Sequence, residues 1–177
     1  IIERCTQYDR FHFIFASEWG YASQLDRAVA ISIMQSLWDS VEADTFLSLR
    51  EEGYLDQVEP YELMTLFSIA DLQISNISSS RMMRTANMPI LDSSTIFPYG
   101  IDVVNETYQG SVGAFFDGGY VHAPDGNEYG VEPHPAHNAI GGLKIARDMA
   151  FAFLQMEDIL DTCNGNCTFS PDNLSWN

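Results

Sequence analysis

Three of the four histidines in this chain lie within residues 122–137, and four carboxylates precede them or lie among them. Imidazole and carboxylate groups together bind Zn, Fe, Mn or Cu, so this segment is a candidate transition-metal site. Its predicted ligands are His122, His134 and His137, with Asp117 or Glu132 as the carboxylate. The alternative is that these histidines lie at the surface or cap a helix, in a loop rich in proline and glycine.

The same segment also has the oxygen-bearing residues that calcium prefers. Residues 125–130 match the first half of an EF-hand loop, but Ala136 stands at the twelfth position, where a bidentate glutamate is required. The oxygen ligands of a calcium site of another kind would be Asp117, Asp125, Asn127 and Glu128. Alternatively, residues 124–127 form a β-turn between two short strands.

No standard catalytic signature occurs in the sequence. It has no GxSxG, no P-loop, no GxGxxG after a strand and no HExxH. The sequence therefore leaves the catalytic residues and the cofactor unknown; the candidate cofactors are a divalent metal, either calcium or a transition metal, and haem.

The three cysteines, Cys5, Cys163 and Cys167, lie near the two ends of the sequence. Terminal cysteines more often form disulfides in an oxidising compartment than pack in a core. Two pairings are open: Cys163 with Cys167 would close a small ring, and Cys5 with either would tie the two ends together. The odd count leaves one thiol unpaired or bonded to another chain. A structural zinc site is not predicted, because the CxxC spacing is missing.

Asn-x-Ser/Thr triplets give an independent indication of the compartment. Four begin at Asn76, Asn105, Asn166 and Asn173, whereas chance predicts roughly one in a chain of this composition. Such triplets are glycosylation acceptors in secreted proteins. With the cysteines, they predict a secreted, extracellular or lumenal glycoprotein. The sequence begins with Ile1 and no apolar leader, which fits a mature product or a fragment of a longer precursor.

The charge balance excludes two classes of partner. The chain has 8 Lys+Arg against 25 Asp+Glu, a net charge of −17, whereas nucleic acids and anionic membranes attract clustered cations. A hydrophobic content of 46% excludes a disordered acidic tail. The longest apolar run, residues 149–154, is far shorter than the about 20 residues that cross a bilayer. No membrane insertion is predicted.

Two stretches in the first half have helical periodicity. Residues 24–50 carry apolar residues at three- and four-residue spacing without Gly or Pro, and Ser23 is a candidate N-cap. Residues 60–74 begin with a proline, which suits the first turn of a helix. The apolar stripe of this second predicted helix consists of Leu63, Leu66, Phe67 and Ala70.

A third helix is predicted from the N-cap Asn138 to about residue 161. Gly141 and Gly142 lie in its first turn, where each costs about 1 kcal/mol relative to alanine. The pair indicates either close approach of another backbone or a ligand, or a poorly formed first turn.

Residues 85–137 have a different composition, with five of the seven prolines and short strand-like runs at 101–104, 112–116 and 120–122. Long irregular segments in compact domains are usually functional. We therefore predict one domain over residues 1–177, of the α+β class and mainly α. Three or four long helices would carry an inserted loop-rich lobe, residues 85–137, with a few short strands.

Residues 119–135 combine an aromatic strand, an Asp-Gly turn and a His-Pro pair. In this they resemble the ligand-binding lobe of extracytoplasmic Cache sensor domains, over fewer than 20 residues. The resemblance implies a small-ligand sensor module, and no residue role is carried over from it.

Three functions follow from these features. The first is a secreted, N-glycosylated interaction or assembly subunit whose partner is another protein chain, the same or different, with a disulfide between chains as an option. The second is a metal- or haem-dependent extracellular enzyme that uses the loop of residues 117–137. The third is an extracytoplasmic sensor of a small ligand.

Overall fold

The computed structural model of the protein describes residues 14–38, 46–50, 59–71, 74–121, 135–155, 159 and 161–175. Within these ranges the helices are α1 (Gln24–Trp38), α2 (Asn76–Thr85), α3 (Ala136–Gly142) and α4 (Lys144–Leu154). The strands are β1 (Met64–Ser68), β2 (Ile90–Leu91), β3 (Val103–Val104) and β4 (Val112–Phe116). A π-helical turn at Ile14–Glu18 and 3-10 turns at Leu47–Leu49 and Pro171–Asn173 are also present.

The four strands form one sheet in the order β1-β4-β2-β3, and every pair of neighbours is parallel. The pairing of β1 with β4 runs from Met64 opposite Val112 to Ser68 opposite Phe116. The prediction of a mainly α, α+β fold with an inserted lobe is therefore wrong, because this is an α/β fold. Three strands of the supposed side lobe belong to the same sheet as β1.

Helices cover both faces of β4, and every residue of this strand is buried. Val112, Ala114 and Phe116 pack in one cluster with the α4 side chains Ala146 and Met149. Phe115 points the other way, since side chains alternate along a strand, and it packs in a second cluster with Met83 of α2. The layers are therefore helix, sheet and helix.

The approach of α2 to the sheet depends on Gly113. A Cβ at this position would lie 2.6 Å from Cε of Met83 and 2.9 Å from Oγ1 of Thr65. A side chain here would have to displace the side chains of Met83 and Thr65, so glycine fits this position because of close packing rather than because of its dihedral angles.

The prediction of a helix over residues 60–74 is wrong, because the described residues of this range contain the strand β1, Met64–Ser68. The i, i+3, i+4, i+7 spacing that suggested it also occurs in a continuous apolar run, and a strand covered on both faces reads as such a run. Leu66 of β1 packs against the cluster on the α4 side, whereas Phe67 packs against the cluster on the α2 side. Thus both faces of β1 pack against the hydrophobic core.

Of the first predicted helix, residues 24–50, the part from Gln24 to Trp38 is confirmed, and Ser23 is its N-cap as expected. Residues 39–45 lie outside the described residues, and Leu47–Leu49 is a 3-10 turn. Oγ of Ser23 accepts hydrogen bonds from the backbone N–H groups of Leu25 at 3.2 Å and Asp26 at 3.3 Å. The buried residue of α1 is Ile31, which packs on Phe15. The residues that gave the helical periodicity lie mostly on the exposed side.

The third predicted helix is two helices, because the chain extends at Leu143, with φ −89° and ψ 114°. Helix α3 begins at Ala136, before the predicted cap Asn138. The break directly follows Gly142, whose carbonyl accepts a hydrogen bond from the backbone N–H of Ser175 at 2.8 Å. The backbone of Ser175 therefore contacts Gly142 through its carbonyl, and the glycine pair ends α3 instead of lying in the first turn of a helix.

The strand predicted at 112–116 is confirmed, and that at 101–104 is reduced to Val103–Val104. Tyr120 and Val121 lie outside the strands, and His122 lies outside the described residues. No helix in the described ranges is both long enough and apolar enough to cross a bilayer.

Candidate functional site

A pocket of about 370 Å³ lies at the carboxyl end of β1, lined by residues of β1, α2 and α3. Parallel sheets bind ligands beyond the carboxyl ends of their strands, and small-molecule sites are usually apolar clefts with a few convergent polar groups. The apolar lining residues are Leu66, Phe67, Ile74, Met82 and Ile140. The polar ones are Ser68, Asp71, Asn76, Ser78, Ser79 and His137.

The strongest chemical feature of the pocket is the pair formed by His137 and Asp71. Nδ1 of His137 lies 3.0 Å from Oδ2 of Asp71, and the two side chains are 27% and 13% exposed. A carboxylate only accepts hydrogen bonds, so Nδ1 carries the proton of this bond. Nε2 of the neutral ring then keeps a lone pair, which can accept a proton from a bound molecule.

Asp71 is held by the turn that connects β1 to α2. Its Oδ1 accepts a hydrogen bond from the backbone N–H of Ile74 at 3.0 Å, which leaves Oδ2 for His137. Ala70, directly before it, has a positive φ of 61°, a conformation that costs a non-glycine residue energy and is enriched at functional sites.

Asn76, the first residue of α2, holds this turn in place. Its Nδ2 donates to the carbonyl of Ser68 at 2.8 Å, and its Oδ1 accepts from the backbone N–H of Ala70 at 3.1 Å. One side chain thus fixes the end of β1 and the strained residue after it. The orientation of Asp71 depends on this arrangement.

The base of the pocket continues into the core. The rings of Phe67, in the pocket lining, and Phe115, fully buried, have centroids 5.0 Å apart. The backbone N–H of Phe115 donates to Oγ of Ser94 at 2.7 Å. The pocket is therefore built on β1, which packs on the buried strand β4, rather than on loops alone.

The serines of the pocket make local contacts. Oγ of Ser68 donates to the carbonyl of Ile69 at 3.3 Å, and Oγ of Ser78 lies 3.2 Å from Oγ of Ser75. Among the hydrogen bonds of the described residues, none joins a serine hydroxyl to His137. The geometry thus favours action of His137 on a bound molecule or a water rather than on a serine nucleophile.

Of the six predicted metal ligands, His137 and Asp117 are described, and His122, His134, Asp125 and Glu132 lie outside the described residues. Oδ1 of Asp117 accepts from the backbone N–H of Gly119 at 2.7 Å. Within the described ranges, neither His137 nor Asp117 belongs to a group of three potential metal ligands. The predicted calcium ligands Asn127 and Glu128 also lie outside the described residues.

Asp117 also joins β4 to the C-terminal segment. It forms a parallel bridge with Thr168, its N–H donates to the carbonyl of Cys167 at 2.9 Å, and its carbonyl accepts from the N–H of Phe169 at 2.9 Å. Tyr120 packs edge-on against Phe169, and burial raises the pKa of its phenol. Tyr120 therefore stays protonated well into the alkaline range.

Cys163 and Cys167 form a disulfide, which is one of the two pairings that the sequence left open. Cys167 is fully buried, and its backbone N–H donates to the carbonyl of Ser93 at 2.7 Å. Cys5, the remaining cysteine of the three, lies outside the described residues.

The four glycosylation triplets differ in their surroundings. Asn105, Asn166 and Asn173 are exposed, whereas Asn76 is half-buried and lines the pocket. Oδ1 of Asn105 accepts from both the N–H and the hydroxyl of Thr107, at 3.1 and 2.6 Å. A glycan on Asn76 would conflict with its bonds to the β1–α2 turn, so we expect the exposed three to be the available acceptors.

Comparison with known proteins does not place the chain in a family: no family model, no curated protein and no solved structure matches it. The resemblance to Cache domains rests on residues 119–135, of which 122–134 lie outside the described residues.

Asp71 was not among the predicted site residues. The signal that could have found it is a carboxylate soon after a buried strand, since such residues gather at the carboxyl edge of a parallel sheet. Since the periodicity of residues 60–74 predicts a helix, Asp71 is not recognised from the sequence as a residue at the end of a strand.

Proposed function

We propose that the protein is an enzyme that binds a small, largely apolar molecule in the pocket at the end of β1 and uses His137 as a general base. The observation that carries this proposal is the 3.0 Å contact between Nδ1 of His137 and Oδ2 of Asp71 in a pocket of about 370 Å³. A histidine oriented by a carboxylate is the usual arrangement of a catalytic base.

The chemistry that fits is removal of a proton from a water or a hydroxyl group that attacks a polarised carbon. Asp71 fixes the tautomer of His137 and stabilises the imidazolium that forms when Nε2 takes the proton. The first turn of α2, at Ser78 and Ser79, lines the same pocket, and the positive end of a helix dipole favours developing negative charge. An ester with an apolar body and one carbonyl group matches this combination.

The test is hydrolysis of a panel of p-nitrophenyl esters with acyl chains of increasing length. We expect saturable turnover, and His137→Gln should lower kcat by about 100-fold or more, since general-base catalysis contributes about 10²–10⁴-fold. Asp71→Asn should also lower kcat, because an amide does not hold the same tautomer. NMR amide shifts of the β1–α2 turn would report ester binding independently.

Asp148→Asn is the matched control, because this carboxylate pairs with Lys144 on the exposed face of α4. It should turn over the esters at the wild-type rate. Esters that shift the turn resonances without being hydrolysed would contradict catalysis and favour the sensor function. Unchanged kcat in His137→Gln would also contradict the proposal.

A second candidate, the secreted interaction subunit, is favoured by α1. Its apolar residues Leu25, Val29, Ile33 and Leu37 are spaced four apart and are exposed, by 71% for Leu25 and 69% for Leu37. Contiguous exposed apolar surface often marks an interface. We propose a second copy of this chain as the partner, since such a stripe is self-complementary in a two-fold arrangement. With Cys163 bonded to Cys167, a disulfide between copies would involve Cys5.

This candidate predicts a concentration-dependent dimer in size-exclusion chromatography with light scattering. Ile33→Asp should make the protein monomeric, because a charge on the stripe cannot be buried at an apolar interface. Phe151→Asp, at an exposed apolar residue of α4, is the matched control and should leave the dimer intact. A monomeric wild type at all concentrations would rule this candidate out.

The metal- or haem-dependent enzyme of residues 117–137 stays a prediction, because most of its ligands lie outside the described residues. Secretion and glycosylation are likewise proposals, supported by the disulfide and by the three exposed acceptor asparagines.

A further inference from the structure

We propose that Asp161, Cys163 and Cys167 form a redox-controlled metal site, which binds a zinc ion when the disulfide is reduced. The ligand atoms of these three residues all lie within 4.8 Å of one another. Zinc is bound by thiolate and carboxylate ligands, and three protein ligands with one open position form a recognised type of zinc site. This inference is independent of the pocket at β1.

The disulfide explains why the two sulfur atoms lie close together, but it does not explain why the Asp161 carboxylate lies beside them. Oδ1 of Asp161 accepts a hydrogen bond from the backbone N–H of Cys163 at 2.9 Å, and a carboxylate oxygen lies within 4.8 Å of both sulfur atoms. Asp161 and Cys163 are half-buried and Cys167 is fully buried. Low solvent exposure strengthens the attraction between a cation and anionic ligands.

Besides the disulfide, hydrogen bonds hold both ends of the site in place. Oγ1 of Thr162 donates to the carbonyl of Ile145 at 2.7 Å, which anchors the Asp161 side to α4. Cys167 is anchored by its N–H to Ser93 at 2.7 Å and by its carbonyl to the N–H of Asp117 at 2.9 Å. The positions of the ligands therefore do not depend on the S–S bond alone.

The disulfide closes a small ring, and chain-entropy theory assigns only a small stabilisation to such a short loop. Reduction by a dithiol transfers two electrons to the sulfur pair: the S–S bond breaks, two thiols form, and the dithiol becomes a disulfide. Binding of the metal then displaces two thiol protons, which gives two thiolate ligands, and the carboxylate is the third. A water completes the coordination.

The test uses the full chain with Cys5→Ser, so that no third thiol competes. After reduction with a phosphine and removal of oxygen, the protein is titrated with Co²⁺, whose thiolate charge-transfer and tetrahedral d–d bands report the ligands. We expect one Co²⁺ per chain, displacement by Zn²⁺ and no binding by the oxidised protein. Asp161→Asn keeps an acceptor for the Cys163 N–H and should weaken binding at least tenfold, since loss of an outer-shell partner alone costs about 10–100-fold.

Asp172→Asn is the control, because this exposed carboxylate lies in the same C-terminal segment. It should bind Co²⁺ as the parent does. Equal affinity of Asp161→Asn and the parent would overturn the proposal, as would absence of thiolate bands in the reduced protein. If reduction unfolds the chain, Zn²⁺ should restore the native NMR spectrum, and failure to do so would also overturn it.

Discussion

Phe115→Ala is expected to lower the free energy of unfolding by about 3–5 kcal/mol, the usual cost of removing a buried aromatic side chain. Phe115 is fully buried in β4, between β1 and β2, and it packs with Met83 of α2 and with Phe67 of β1. Its loss leaves a cavity that the surrounding sheet and helix cannot fill. Urea denaturation followed by circular dichroism measures the change.

The matched control is Phe151→Ala, the same substitution at a phenylalanine of α4 that is 62% exposed. It should change the free energy of unfolding by no more than about 0.5 kcal/mol. Equal effects of the two substitutions would contradict the arrangement in which β4 is the covered central strand. Because Phe67 lines the pocket, Phe115→Ala should also weaken ligand binding there.

Arg50→Met is expected to destabilise the fold by about 2–4 kcal/mol, because it removes the buried charged donor from the carbonyl of Ala86 and from Oγ of Ser111. Arg50 is 3% exposed. Its Nη1 donates to the carbonyl of Leu47 at 3.0 Å and to the carbonyl of Ala86, and its Nε donates to Oγ of Ser111 at 3.2 Å. One guanidinium thus connects three segments that are distant in sequence.

Methionine keeps the length and apolar character of the stem, so the measured loss reports the guanidinium itself. Arg84→Met, at an exposed arginine of α2, should have little effect on stability. Arg50→Lys should recover part of the loss, because lysine supplies a charge and donors but not the planar fork. If Arg50→Met proved as stable as Arg84→Met, the buried network would not contribute to the fold.

The N-cap of α1 and the strand β4 could be predicted from the sequence because each depends on local chemistry, whereas the ring-forming disulfide was one of two open pairings. Ser23 has an N-capping hydroxyl, and Val112–Phe116 is a short apolar run rich in bulky residues. The class of the fold was missed because β1 was read as a helix. A short apolar run is compatible with the periodicity of a helix and with that of a strand, and only the tertiary contacts of the segment decide which of the two it forms.

The candidate site could be predicted only in part for the same reason. His137 stood out as one of three clustered histidines, but its partner Asp71 is far away in the sequence and belongs to a turn that follows an unrecognised strand. The exposed stripe of α1 shows a related limit. Periodicity identifies the apolar face of a helix, but it does not say whether the fold covers that face.

The parallel pairing of β1 with β4 has a consequence for the order of folding. On the ribosome, β1 emerges before α2, β2 and β3, and its partner β4 emerges after all of them. Pairings between distant segments form slowly, because the chain between them must be closed into a loop first. The apolar edge of β1 is therefore exposed during synthesis until β4 is complete. We expect the need of the nascent chain for chaperones to depend on how quickly β1 pairs with β4.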